Sequence, residues 1–312
     1  MNVTESTGST QQPSFLRRWL KRLGILLVLL AILVGVNALY ASYADTETIL
    51  DGEAGDLLYV SAFDGFLDEW KLYDGQQSAQ IIDDTLQIGI SVPNQAAWST
   101  AQPLFEDFDI TLKATALEGQ INYNAFGVIF RLQTGADKAC DLPMVIFCGI
   151  SDIAPIFKTG VRLLVDDTSG TDSINYYAFL ISSDGFYSVV KVENGSETKL
   201  SEWVASPAIN QNLNTENIIR VVGRGSQFQF FINGEQMNVC IPNDPDGIST
   251  YSGGKCIEGT MQSVLTDNTI TTGQLGAITQ ALQNGGGGVV VQFDNMIVFS
   301  PANNIEKDES NA

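Results

Sequence analysis

From about Tyr59 onward, hydrophobic and polar residues alternate along short segments that are separated by Gly, Asn and Asp. Phe126, Val128, Phe130 and Leu132 recur with period two, which is the spacing of a β-strand with one face in a core. The same spacing recurs at Tyr177, Phe179 and Ile181, at Ile219 and Val221, at Phe228, Phe230 and Ile232, and along 289–298. Helical periodicity is almost absent from this part of the chain, so the pattern predicts an all-β domain.

Turn signals support the same interpretation. Asp184-Gly185, Asn194-Gly195 and Asn233-Gly234 separate strand-like segments, and such pairs tolerate the positive φ that tight hairpin turns need. With strands about every 8–12 residues and no alternating helices, we expect a two-sheet antiparallel sandwich of jelly-roll type. Within 263–281, where one helical turn is an alternative, we expect Gly276 to Thr279 to form a strand.

Two segments, 135–173 and 237–265, are too long for hairpin loops, and each contains two cysteines. Three disulfide pairings are possible. The local one, Cys140 with Cys148 and Cys240 with Cys256, is predicted because each pair lies within one polar stretch and would staple a loop. Neither spacing resembles the Cys-x-x-Cys of a zinc site. The stapled loops either carry function or cover the edges of the sheets.

The N-terminal region has the pattern of a membrane-targeting segment. No charged residue occurs in 23–44, and Arg17, Arg18, Lys21 and Arg22 precede it. A helix over these residues would reach roughly 33 Å, enough for a hydrocarbon core of about 30 Å. The segment is either a transmembrane signal anchor or a signal peptide cleaved at Ser42-Tyr43-Ala44. Both readings keep residues 1–22 in the cytoplasm and export the rest.

The predicted plan of the chain follows from these segments. We expect a basic cytoplasmic N-terminus at 1–22, a transmembrane segment at 23–44, a linker at 45–55, a β-sandwich domain at 56–301 and a disordered tail at 302–312. The expected location is a bacterial cell membrane crossed once, with an extracellular C-terminal domain, or the extracellular space if the chain is cleaved after Ala44.

Composition narrows the function. The 312 residues include 16 basic and 36 acidic side chains and no histidine, a net charge of −20. After residue 44 there are 12 basic and 35 acidic residues, a net charge of −23. Without imidazole there is no Ser-His-Asp or Cys-His catalysis and no histidine-assisted zinc site. A body this acidic also repels phosphate, which excludes nucleic acid as a partner.

The order of the strand-like segments resembles a known superfamily. The segments are 176–187, 200–203, 220–222, 230–234, 273–278 and 291–298. They are similar to the concanavalin A-like lectin/glucanase superfamily, in particular to laminin G-like and 3-keto-disaccharide hydrolase-like (domain of unknown function 1080) bacterial modules. The resemblance spans about 56–301 and implies a concanavalin A-like jelly roll. That fold hosts lectins, glycanases and adhesion modules, so function depends on the site.

Catalysis has little support in the residues. Laminarinase-like relatives carry a Glu-x-Asp-x-x-Glu strand, which is absent here, and Glu106-Asp107-Phe108-Asp109 is the nearest acidic cluster. We therefore predict no catalytic residue and expect a membrane-anchored module that binds carbohydrate or a cell-surface partner. The alternatives are a carbohydrate-active hydrolase that uses paired carboxylates, and a structural subunit of an envelope complex.

Aromatic side chains are the candidate ligand contacts, because sugars stack on exposed aromatic faces. The five candidates are Trp98, Tyr123, Tyr176, Tyr187 and Trp203. No cofactor is expected apart from a possible structural calcium ion at Asp64 and Asp294, which flank the first and last strands. Competing acidic clusters are Asp166, Asp167 and Asp172, and the pair Asp244 and Asp246.

Overall fold

The computed structural model describes residues 22–24, 27–28, 31–32, 48–64, 70–134, 174–244, 247–282 and 288–302. The chain divides into two compact units, Met1–Thr46 with Asp137–Val165, and Glu47–Ala136 with Asp166–Ala312. In the first unit the described residues, 22–24, 27–28 and 31–32, are helical. Within the described ranges, no helix has the length and hydropathy needed to cross a membrane. Most of the predicted span at 23–44 lies outside those ranges.

The second unit is built from β-strands. In chain order they are β1 (Ile49–Leu50), β2 (Leu57–Ser61), β3 (Gln77–Ile82), β4 (Thr85–Ile90), β5 (Gln95–Phe105), β6 (Phe108–Glu118), β7 (Asn124–Gln133), β8 (Asn175–Ile181), β9 (Phe186–Glu193), β10 (Ser196–Ala205), β11 (Glu216–Arg224), β12 (Gln227–Ile232), β13 (Glu235–Met237), β14 (Val239–Pro242), β15 (Thr250–Ser252), β16 (Lys255–Ile257), β17 (Gly259–Gln262), β18 (Leu265–Thr266), β19 (Gly273–Ala281) and β20 (Val289–Phe299).

These strands form two large sheets. Sheet A has seven strands in the order β1-β5-β19-β7-β8-β9-β10. Sheet B has nine strands, with the path β13-β12-β11-β6-β20-β4-β3, β18 paired to β12 and β2 paired to β20. Pairing between these strands is antiparallel except between β1 and β5. The prediction of an all-β sandwich is confirmed, and the arrangement is consistent with a jelly roll.

Aromatic side chains from both sheets fill the space between them. Phe130 of sheet A stacks on Tyr177 with 5.3 Å between ring centroids and lies 5.2 Å from Phe228 of sheet B. Phe179 lies 4.7 Å from Phe230 of sheet B. All five rings are buried, so the period-two positions of β7, β8 and β12 form the predicted core.

One position of that pattern was predicted wrongly. Leu132 was expected beside Phe126, Val128 and Phe130, but it belongs to an apolar cluster on the outer face of sheet A. Arg131 has a φ of 53°, and the pairing of β7 with β8 shifts register between Phe130 and Gln133. Such a bulge inverts the alternation, so the fully buried Arg131 takes the inward position.

The predicted hairpin turns occur at the expected residues. Asn194 and Gly195 have φ values of 51° and 76°, and Asn233 and Gly234 have 52° and 86°. Both turns have positive φ at two central residues, as two-residue hairpin loops require. At Asp184-Gly185, Gly185 alone has positive φ, at 93°.

The segment 237–265 is more ordered than a loop. Cys240 and Cys256 form a disulfide, as predicted. Two small antiparallel pairs, β14 with β17 and β15 with β16, hold the segment together. Cys140 and Cys148, residues 135–173 and the tail from 303 lie outside the described residues.

Candidate functional site

The outer face of sheet A is apolar in its centre. Because side chains alternate along a strand, Tyr177, Phe179 and Ile181 point into the core while their neighbours point outward. The outward residues form a second buried cluster made of Ala125, Ile129, Leu132, Tyr176, Ala178, Leu180, Val190, Val192 and Ile278. Trp98 and Trp203 pack against it. Strands with two apolar faces are therefore explained by two clusters, one on each side of the sheet.

Trp98 and Tyr176 meet on this outer face. Their ring centroids lie 5.9 Å apart, although β19 and β7 separate the strands that carry them. Tyr176 is only 5% exposed, and burial raises the pKa of its phenol, with Glu197 adding to the shift. These two predicted contacts come together, but Tyr176 has little surface for a ligand.

A pocket opens at one end of the same face, and we call it the Trp203 pocket. It has a volume of about 160 Å³. Its lining residues are Asn122, Ser182, Asp184, Phe186, Trp203 and Leu282. Trp203, Phe186 and Leu282 supply apolar surface, whereas the other three supply amide, hydroxyl and carboxylate groups. The pocket therefore combines an apolar wall with hydrogen-bonding groups.

The turn between β8 and β9 positions the polar part of this pocket. Ser182 donates its hydroxyl to Asp184 Oδ1 at 2.5 Å, and the backbone N–H of Phe186 donates to Ser182 Oγ at 3.2 Å. Gly185 closes the turn, with its N–H 3.1 Å from the carbonyl of Ser182. Phe186 follows this turn at the start of β9 and is 37% exposed.

Two buried polar residues are close in sequence to residues of the pocket. Asn124 is fully buried and accepts the backbone N–H of Ser183 at its Oδ1, at 3.0 Å. Among the described residues, Asn124 Nδ2 and Ser183 Oγ have no hydrogen-bond partner. Ser183 stands between the pocket residues Ser182 and Asp184, and Asn124 is two residues after the pocket residue Asn122.

The other two aromatic candidates have different surroundings. Tyr123 lies half-buried beside the pocket, where its carbonyl accepts the N–H of Leu282 at 2.9 Å. Tyr187 lies in the core between the sheets and is 3% exposed. Its hydroxyl donates to the carbonyl of Asn238 at 2.6 Å, and burial raises its pKa. Tyr187 therefore has no face for a sugar, because its ring points inward.

The expected calcium ligands are near two paired strands, because Asp64 follows β2 and Asp294 lies within β20. Asp64 is exposed, and Asp294 accepts a hydrogen bond from the amide of Asn295 at 2.7 Å. Across the described ranges, no three side chains of His, Cys, Asp or Glu are grouped as a metal site would need. Of the competing acids, Asp166, Asp167, Asp172 and Asp246 lie outside those ranges. Calcium at Asp64 and Asp294 stays a prediction.

A charged network occupies the opposite end of sheet A. Asp267 accepts the Tyr177 hydroxyl at 2.5 Å and the Lys191 ammonium at 3.1 Å. Arg131 donates to the carbonyls of Ile270 and Gly225 at 2.7 and 2.6 Å, and its guanidinium lies 4.8 Å from the Phe228 ring centroid. Burial lowers the pKa of Arg131. These bonds hold the described loops at that end.

Sequence reasoning missed most of the Trp203 pocket. Trp203 was predicted, but Asn122, Asp184, Phe186 and Leu282 were not. The signal available was the Asp184-Gly185 turn, which places an acid beside an aromatic residue at a strand end. The sequence identifies that turn but does not reveal that residue 203 lies across from it.

Comparison with known proteins gives a similarity of fold only. No family model and no curated protein matches the chain. The structure is similar to carbohydrate binding module CBM66 from Bacillus subtilis, with 12% identity, 74% of this chain and 96% of that one covered, and a TM-score of 0.43. It is also similar to a protein of unknown function with a galectin-like fold from Bacillus subtilis, with 12% identity, 80% of this chain and 97% of that one covered, and a TM-score of 0.47. A third similar structure is a β-glucanase of Bacillus licheniformis, with 7% identity, 80% of this chain and 99% of that one covered, and a TM-score of 0.44. At this level we take the fold from the strand pairing and infer neither ligand nor activity from these proteins.

Proposed function

We propose that this chain is a non-catalytic, glycan-binding β-sandwich module of concanavalin A-like type, and that its ligand occupies the Trp203 pocket. The observation that carries the proposal is the pairing, within one pocket, of the Trp203 and Phe186 rings with Asn122, Ser182 and Asp184. A sugar ring has apolar C–H faces and a polar rim of hydroxyls. Aromatic rings pack against the C–H faces of a sugar, and amide and carboxylate groups form hydrogen bonds with its hydroxyls.

The polar groups of the pocket suit binding better than bond cleavage. Glycoside hydrolysis needs two carboxyl groups, about 5–5.5 Å apart for retention or about 6.5–9.5 Å apart for inversion. The described lining of the pocket contains one, Asp184, whose Oδ1 is bonded to Ser182. A single carboxylate can accept hydrogen bonds from the hydroxyls of a sugar but cannot act as both acid and base.

We further propose that the module is exported and held at the cell membrane by residues 23–44. The uncharged stretch behind four basic residues supports this location. The Cys240–Cys256 disulfide agrees with an oxidising compartment outside the cytoplasm.

The test is a glycan array with the full-length protein, followed by titration of each bound glycan. Replacing Trp203 with Ala, or Phe186 with Ser, is expected to weaken binding at least about tenfold. Phe231→Ala is the matched control, because that ring lies half-buried against Arg220 on sheet B, and its loss should leave binding unchanged. Circular dichroism checks that each variant folds.

Two outcomes would overturn the proposal. If no glycan binds and the protein captures a specific envelope protein, the chain is a structural subunit. If a polysaccharide is cleaved and cleavage is lost when one carboxylate is changed to its amide, the chain is a hydrolase.

A further inference from the structure

We infer that the Trp203 pocket takes a single non-acidic sugar unit of a glycan, and rejects uronic and sulfated sugars. This inference rests on the proposed glycan binding. Two features of the pocket carry it, its charge and its size.

The charge of the lining is negative. Asp184 contributes the pocket's carboxylate, and neither Lys nor Arg occurs among its described lining residues. Within the described structure the bond of Asp184 to Ser182 uses Oδ1, which leaves Oδ2 available for a ligand. An acidic sugar would therefore place its own charge near an anion with no cation to offset it, and such like-charge contacts oppose binding.

None of the described cations of sheet A lines the pocket. The described strands of this sheet carry Arg131, Lys191 and Lys199. The first two belong to the network at the opposite end, where Lys191 is bonded to Asp267. Lys199 pairs with Glu202 Oε1 at 3.0 Å, and the same oxygen accepts the backbone N–H of Trp203 at 3.2 Å. This cation therefore lies close to Trp203, but a carboxylate already offsets its charge.

The wider field acts in the same direction. After residue 44 the chain carries 12 basic and 35 acidic residues. A net charge of −23 on this part repels polyanions before they reach the pocket and attracts protonated amino sugars.

The volume limits how much of a glycan enters. About 160 Å³ equals the space of about five water molecules, and it is below the roughly 300–1,000 Å³ typical of sites for larger ligands. One sugar ring fits such a space, whereas several consecutive rings do not. The pocket is open to one side, so one ring of a glycan can occupy it while the neighbouring rings lie outside.

The test compares neutral, amino and uronic oligosaccharides of matched linkage and length, using the full-length protein. We expect binding that depends on Trp203 to the neutral and amino series and none to the uronic series. Asp184→Lys should weaken amino-sugar binding about tenfold or more and create measurable uronic binding. Asp184→Asn, which keeps the shape of the turn, should weaken amino sugars more than neutral ones.

A competition series tests the size. The monosaccharide alone should inhibit within about threefold of its trisaccharide, whereas a gain above about tenfold for the trisaccharide would overturn the single-unit inference. Uronic binding that depends on Trp203 in the unmodified protein would overturn the charge inference and leave glycan binding intact. If no oligosaccharide of any series binds in a way that depends on Trp203, the proposed function itself is refuted.

Discussion

The hydroxyl of Tyr177 donates a hydrogen bond to Asp267 at 2.5 Å, and this contact joins the middle of sheet A to the loop that precedes β19. The same carboxylate accepts the backbone N–H of Thr269 at 2.8 Å and the ammonium of Lys191 at 3.1 Å. The Tyr177 hydroxyl also accepts the N–H of Ile270 at 3.2 Å. The loop before β19 is therefore fixed by hydrogen bonds to one phenol and one carboxylate.

Asp267→Asn is expected to lower the free energy of unfolding by about 2 kcal/mol at pH 7, because its bonding partners would lose a charged acceptor. Burial raises the pKa of Asp267, but hydrogen bonds from Tyr177, Thr269 and Lys191 outweigh it, and the net pKa lies below the ordinary value of 3.8. The stabilisation is therefore complete above pH 3.8 and is lost as the pH falls through the lower, folded value. Urea unfolding between pH 7 and pH 2 measures both effects.

The matched control is Asp294→Asn, whose carboxylate bonds the neighbouring Asn295. It should change stability by less than about 0.5 kcal/mol. Equal pH dependence in the unmodified protein and in Asp267→Asn would show that Asp267 does not contribute as described.

Thr279→Val is expected to stabilise the protein by about 1 kcal/mol. The Thr279 side chain is fully buried, and its hydroxyl has no hydrogen-bond partner among the described residues. Replacing an unpaired buried hydroxyl with a methyl group of similar shape removes a desolvation cost. Thermal and urea unfolding of the two proteins give the comparison.

Thr100→Val is the control for this change. The Thr100 hydroxyl donates to Gln274 Oε1 at 2.9 Å, so the same substitution there should destabilise by about 1 kcal/mol. A loss of stability in Thr279→Val would mean that its hydroxyl is hydrogen-bonded in solution.

Gly127→Ala is expected to destabilise the sandwich by about 3 kcal/mol or more. A Cβ at this position would lie 2.0 Å from the carbonyl oxygen of Phe179 on the adjacent strand, and neither backbone can move without breaking the β7–β8 pairing. Gly225→Ala meets nothing within 4 Å but has a φ of 52°, so it should cost only about 1 kcal/mol. Similar costs at both sites in urea unfolding would contradict the close approach of β7 and β8.

Removing the Cys240–Cys256 disulfide by changing both residues to Ala should lower the melting temperature. The bond closes a separation of 16 residues, for which chain entropy gives about 3 kcal/mol. The buried Cys240 lies beside sheet A, where its N–H donates to Ser201 Oγ at 3.0 Å. Calorimetry of the double variant without reductant tests this bond alone, and an unchanged melting temperature would show that β14 to β17 hold without it.

The core was predictable because its information is local. Phe228, Phe230 and Ile232 repeat with period two, and Asn233-Gly234 follows them, so strand, face and turn can all be read from one stretch. Leu132 was misplaced because the positive φ of Arg131 depends on carbonyls of Ile270, Glu106 and Gly225, which are distant in the chain. A pattern along one strand contains no such information.

The pocket was unpredictable for the same reason. Asn122, Asp184 and Leu282 come from three connections and Trp203 from β10, and the strand order of sheet A brings them together. In the sequence, Tyr187 and Tyr176 cannot be distinguished from Trp203 as candidate ligand contacts. In the structure, Tyr187 faces the core and Tyr176 packs against Trp98. Which aromatic residues reach a ligand is decided by how the sheets pack, beyond the alternation itself.

Gln133 pairs directly with Asn175, and this closes the β7–β8 ladder at the end of sheet A away from the Trp203 pocket. The residues between these two strands join positions that are already hydrogen-bonded, and longer loops add little closure entropy. This connection is consequently a position where sequence can be inserted or replaced. Residues 135–173 can therefore be exchanged for a short turn, a reporter or another module at a site remote from the Trp203 pocket.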